Sequence, residues 1–97
     1  MLNLFRVNGN SMRPFLSAGD FVVTRRTQNV GVGDVIVVND ERVGNIIKRI
    51  LSADEDEVVL EGDNPRLESS CCEYPHKRST ILGRVIFRFS LPFSQSH

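Results

Sequence analysis

The chain has no surplus of either charge: Lys and Arg together number 12, Asp and Glu 12, and the net charge is zero at neutral pH. Without a net positive field it lacks the footprint of a nucleic-acid binder or of a protein drawn to an anionic membrane, and no direct nucleic-acid partner is expected. Cysteine is scarce. Cys71 and Cys72 are adjacent, so a bridge between them would close a strained ring, and two are too few for a stapled scaffold. They read as free thiols in a reducing compartment. His76 and His97 stand apart with no local partner pattern, so no metal site is expected. Long apolar runs are missing too: Met1-Leu2-Asn3-Leu4-Phe5-Arg6 is broken at once by polar residues. As it stands the chain reads as soluble and cytoplasmic, and as membrane-associated if an anchor was trimmed from it. No helical period lasts a dozen residues, which leaves at most a turn or two of helix near Ser11 to Ser17. Internal repeats and low-complexity tracts are absent.

What remains is strand and turn. A length of 97 residues, with 40% hydrophobic and 25% charged, suits one globular domain over residues 1–97. Leu4 to Val7 reads as a short first strand and Asp20 to Arg25 as a second, rich in β-branched and aromatic residues. Gly31 to Asp34 turns the chain into Val35-Ile36-Val37-Val38, an apolar run of buried-strand length. After Asn39-Asp40-Glu41 comes a long strand, Val43 to Leu51. Asp54-Glu55-Asp56-Glu57 is an acidic hairpin tip that lacks the glycine and spaced glutamate of a calcium loop. Val58 to Glu61 is a strand ended by Gly62-Asp63-Asn64-Pro65. Arg66 to Arg78 shows no period and reads as loop, and Thr80 to Phe89 is a last strand. Short strands with regular turn signals predict an all-β fold, a small partly open barrel or two packed sheets, with little or no helix. Residues 86–97 form a C-terminal strand and apolar tail. Phe87 to Phe93 either completes the core or offers a patch to a partner subunit or membrane.

One stretch carries candidate chemistry. Gly9-Asn10-Ser11-Met12-Arg13-Pro14 is a turn with a serine in it. Ser11 either solvates the tip of a loop or acts as a nucleophile, and a nucleophile needs a base to take its proton. The two histidines are poorly placed for that. A lysine can serve if it loses its charge, which requires its pKa, near 10.4 in water, to fall by about three units through burial. In a strand, Ile46, Lys48 and Ile50 share a face and Ile47, Arg49 and Leu51 the other. Lys48 therefore either snorkels to solvent at a strand edge or sits among apolar neighbours as a base.

The series Gly9-Asn10-Ser11-Met12-Arg13-Pro14, Gly19-Asp20, Gly33-Asp34-Val35-Ile36-Val37, Ile47-Lys48-Arg49-Ile50, Gly62-Asp63-Asn64 and Leu82-Gly83-Arg84-Val85 resembles the box order of type I signal peptidases. It is also similar to the related self-cleaving repressors of the LexA and UmuD type, so the resemblance is to the S24/S26-type Ser/Lys peptidases from about Val7 to Val85. It implies a serine hydrolase on a mostly β fold of the LexA–signal peptidase type, with no metal or cofactor. It further implies Ser11 as nucleophile, Lys48 as general base and the Ser11 N–H as an oxyanion donor. Gly9, Asn10, Met12, Asp63 and Asn64 would shape the site. Gly9 stands where some signal peptidases carry a serine that adds a side-chain donor.

The chain departs from the signal-peptidase pattern after Asn64. Pro65-Arg66-Leu67-Glu68-Ser69-Ser70 replaces a Ser-x-Asp-Ser-Arg segment whose first serine orients the lysine, and Ser69 or Ser70 is the candidate stand-in. The reading that follows is an endopeptidase acting on a leader or signal-type segment of a protein substrate, bound as an extended strand. The alternatives are a non-catalytic or partner-dependent binding module on the same scaffold, and a membrane-bound signal peptidase trimmed of its anchor.

Overall fold

A computed structural model describes residues 1–67 and 74–91. Its strands are β1 (Leu2–Arg6), β2 (Phe21–Arg25), β3 (Val35–Asp40), β4 (Gly44–Ala53), β5 (Glu57–Glu61), β6 (His76–Lys77) and β7 (Ile81–Phe89), with one 3₁₀ turn at Arg78–Thr80. They form a single antiparallel sheet of seven strands in the order β1-β2-β7-β3-β4-β5-β6. The sheet is not closed, so the expected all-β class holds in an open form, as one sheet rather than two packed ones among the described residues.

The strands follow from composition and punctuation. Val35 to Val38 are all buried and supply both faces: Ile36 and Val38 enter one core, Val35 the other. A strand covered on both sides has no polar alternation, which is why this run is continuously apolar. The first core joins Val30, Ile36, Val38, Ile50, Val58, Leu60 and Ile81. The second joins Val7, Met12, Leu16, Val22 and Val35, with Phe5, Phe15, Ile47 and Val85 packed against it. The acidic tip is the β4–β5 hairpin turn, closed by the Asp54 carboxylate, which accepts the N–H groups of Asp56 and Glu57 at 2.8 Å. These bonds hold the Asp54 carboxyl below the usual aspartate range.

Several boundaries differ from the sequence expectation: β1 spans Leu2–Arg6 against the expected Leu4 to Val7, β4 spans Gly44–Ala53 against the expected Val43 to Leu51, and two further differences bear on the site. Residues 76–77 pair with β5 inside a stretch expected to be loop, because a two-residue strand is too short to show a period. β3 runs on through Asn39 and Asp40, which pair with Asn45 and Gly44 instead of starting the turn. In the C-terminal strand, Phe89 stacks on Phe21 at 5.5 Å while Phe87 is 60% exposed. Phe93 lies outside the described residues. No helix among the described residues is long and apolar enough to cross a membrane.

Candidate active site

The serine sits on a turn pinned from beneath. Ser11 follows Gly9, whose φ of 76° is open to glycine but costly for other residues. The Arg13 N–H reaches the Asn10 carbonyl at 3.2 Å and the Leu16 N–H reaches that of Met12 at 2.9 Å, one helical turn that goes no further. Met12 and Leu16 are buried in the second core, each contributing about 1.5–3 kcal/mol of burial that fixes the turn. Ser11, between exposed and buried neighbours, stays half-buried.

Lys48 reaches the same place from the sheet. It pairs with Ile36 in the middle of β4, and Ile46 and Ile50, which share its face, pack into the first core. Only 4% of Lys48 is exposed, so it does not snorkel to solvent. Ser11 and Lys48 both line one cleft of about 280 Å³, whose walls include Gly9, Met12, Asn45 and Ile47. The sheet thus brings together two residues 37 positions apart, on an apolar floor.

The Gly62-Asp63-Asn64 turn splits its work between two neighbours. Asn64 grips the serine turn: its N–H donates to the Ser11 carbonyl at 2.8 Å and its Nδ2 to the Asn10 carbonyl at 3.0 Å. Gly62 lies so close beneath that a methyl group there would stand 2.6 Å from the Ser11 carbonyl oxygen. Only a residue without Cβ fits that approach. Asp63 turns instead to Arg49, accepting Nε at 2.8 Å and Nη2 at 2.7 Å in a two-pronged pair. Arg49 also donates Nη1 to the Gly33 carbonyl at 2.8 Å and covers the Phe15 ring at 5.1 Å. The hydrogen bonds that Arg49 donates to Asp63 raise its guanidinium above its ordinary value, against a smaller cost of burial. Asp63 therefore braces the strand that carries Lys48 and does not line the cleft. Ser69 and Ser70, the candidate lysine-orienting serines, lie outside the described residues, as do Cys71 and Cys72.

Among the described residues the β4 edge beside the cleft is open. Ile50 exchanges both backbone bonds with the β3 side, accepting from Gly33 N–H at 2.9 Å and donating to the Asp34 carbonyl at 2.8 Å. By alternation Lys48 and Ile46 also turn their backbone groups to β3, and Ile47 and Asn45 turn theirs away. The ladder with β5 begins only at Arg49. Asn45 and Ile47 therefore present N–H and C=O groups with no strand partner among the described residues. The Ser11 N–H likewise makes no hydrogen bond there, while the carbonyls around it are taken.

A second polar cluster went unseen in the sequence. Asp40, 4% exposed, accepts the Tyr74 hydroxyl at 2.7 Å and His76 Nε2 at 2.9 Å through Oδ2. Its Oδ1 accepts the N–H groups of Arg42 at 2.7 Å and Val43 at 3.1 Å. The Tyr74 and His76 bonds lead these in holding the Asp40 carboxyl well below the usual carboxylate range. His76 does have a partner, then, but 36 residues away and out of reach of any local pattern.

Among the described residues, the arrangement offers a hydroxyl, a buried lysine, an open N–H and an unpaired strand edge around one cleft. No curated protein matches the chain. A family model does, over residues 2–86, from the first strand through most of the last. On that match the chain belongs to the Peptidase S24-like family, the side of the resemblance shared with the LexA and UmuD type.

Proposed function

We propose that this protein is a serine endopeptidase in which Ser11 is the nucleophile and Lys48 the general base. The observation that carries the reading is the shared cleft: a half-buried serine and a lysine only 4% exposed line one cavity on an apolar floor. A serine hydroxyl needs a base beside it to take its proton, and Lys48 is the amine that shares its cleft. Ser11 Oγ attacks the peptide carbonyl as Lys48 Nζ takes its proton. The developing oxyanion is met by the open Ser11 N–H, a type of donor worth about 2.7–4 kcal/mol in other serine enzymes. When the C–N bond breaks, Lys48 returns the proton to the leaving amine, and water then releases the acyl group from Ser11 by the reverse sequence.

The substrate is a peptide segment of another protein, a leader or signal-type extension, lying extended along β4. Asn45 and Ile47 supply the main-chain hydrogen bonds that such a segment needs, and the apolar cleft wall beside them favours small uncharged side chains. Replacing Ser11 by Ala and, separately, Lys48 by Ala tests the dyad. Each variant is expected to melt cooperatively and to lose peptide cleavage. Turnover retained by either one rejects the assignment.

A further inference from the structure

We propose that the Asp40–Tyr74–His76 cluster, with Asp40 and His76 buried and Tyr74 half-buried, positions the substrate-docking edge of β4. The proposal rests on the peptidase reading above and adds a set of positioning residues to it.

Asp40 ends β3, and its two carboxylate oxygens face different parts of the chain. Oδ1 holds the turn between β3 and β4 by the N–H groups of Arg42 and Val43. Oδ2 holds the segment that leads into β6, by the Tyr74 hydroxyl and His76 Nε2. A carboxylate can only accept, so His76 presents Nε2–H to it. His76 Nδ1 is buried without a hydrogen-bond partner among the described residues, so within them the bond to Asp40 and the Tyr74 ring 5.0 Å away hold the imidazole. The Arg42 guanidinium closes the cluster from outside, 5.7 Å from the centre of the Tyr74 ring.

The turn that Asp40 holds is a wall of the cleft. Val43 lines the same cavity as Ser11 and Lys48, and Asn45, two residues on, offers the first open backbone pair of the docking edge. Movement of the turn therefore moves the edge relative to the serine. A hairpin turn of this length closes without a buried ion, and burying a carboxylate is costly unless every partner is in place. Such a cluster adds little net stability over an apolar one but admits one arrangement. Fixing the geometry of the edge is the use to which that single arrangement is put.

The test measures peptide binding apart from chemistry. A fluorescein-labelled peptide, selected from a random decapeptide library on Ser11→Ala protein, is titrated into that protein and into versions also carrying Tyr74→Phe, His76→Leu, Asp40→Asn or Asp40→Leu. Loss of a partly buried hydrogen bond predicts a Kd about fivefold weaker for Tyr74→Phe, and loss of the buried one roughly tenfold for His76→Leu. Asp40→Asn keeps an oxygen for the turn but puts an amide N–H where Tyr74 and His76 need an acceptor, so it is expected to weaken Kd by roughly tenfold, and Asp40→Leu to lose binding. Melting is followed in the same samples. A merely stabilising cluster lowers the melting temperature and leaves Kd alone, and Kd values within twofold of the parent in folded variants overturn the proposal. Failure of any peptide to bind the Ser11→Ala protein overturns it too. If Asp40→Leu does not fold, Tyr74→Phe decides, because it keeps the ring over which Arg42 lies. Reaction of unaltered protein with a serine-reactive β-lactam reports on the dyad separately. No adduct there rejects the peptidase reading, and the Kd series still judges the cluster.

Discussion

Adding one methyl group at Gly62 isolates the part of the site that geometry alone controls. Gly62 does not use the left-handed region, so alanine is compatible with its backbone and any effect is steric. The added carbon would stand 2.6 Å from the Ser11 carbonyl oxygen, roughly 0.8 Å inside ordinary contact, and against backbone that cannot swing aside like a side chain. The same oxygen accepts the Asn64 N–H at 2.8 Å, so relieving the clash also stretches the bond that holds the serine turn. Overpacking of this kind costs about 1–3 kcal/mol. Displacing a reacting group by 1 Å costs on the order of hundredfold in rate, so a shift slightly smaller than that is expected to lower kcat/KM by about 10- to 100-fold. Gly31→Ala is the control, since a methyl there meets nothing within 4 Å. Stability is read from denaturant unfolding and activity from a fluorogenic peptide. A Gly62→Ala protein that cleaves within threefold of the parent refutes the claim that the turn at Gly62 sets the position of Ser11.

The brace beside the site makes further predictions. Arg49 and Asp63 form a two-pronged pair whose side chains are 30% and 16% exposed, so a double-mutant cycle of Arg49→Met and Asp63→Ala should give a coupling of about 1–2 kcal/mol in unfolding free energy. A coupling near zero would mean that the pair does not brace β4. Asn64→Ala removes the Nδ2 bond to the Asn10 carbonyl but keeps the backbone bond to Ser11; it should cost about 1 kcal/mol and reduce cleavage less than Gly62→Ala does. The depressed Asp40 carboxyl fixes the sign of an acid limb. Its contribution is fully present above the ordinary aspartate value of 3.8 and is lost as pH falls below it, because the unfolded chain binds the proton first. Melting temperature measured from pH 5 to pH 2 should fall more steeply in the parent than in Asp40→Asn, and parallel curves would contradict the assignment.

Much of the fold was legible because strands announce themselves locally. Val35 to Val38 read as a strand of buried length, and alternation through Ile46, Lys48 and Ile50 put the lysine on a face with two isoleucines that pack into the core. The Gly62-Asp63-Asn64 turn was legible as a turn, but not the division of labour within it. Asp63 serves Arg49 while Asn64 and Gly62 serve Ser11, and these contacts join residues 14 and about 50 positions apart. The Asp40–Tyr74–His76 cluster was illegible for the same reason. Asp40 lies on β3, His76 on a strand of two residues and Tyr74 just before it, with no period or motif linking them. The open edge of β4 depends on β5 stopping opposite Arg49, a register that the acidic hairpin tip hints at without fixing.

Intact-mass analysis of the protein after incubation with a serine-reactive β-lactam, run on the parent and on Lys48→Met, tests the dyad most directly. The account predicts a single adduct mapped to Ser11 in the parent and none in the folded Lys48→Met protein over the same period. Equal labelling of both, or an adduct on any serine but Ser11, would contradict it.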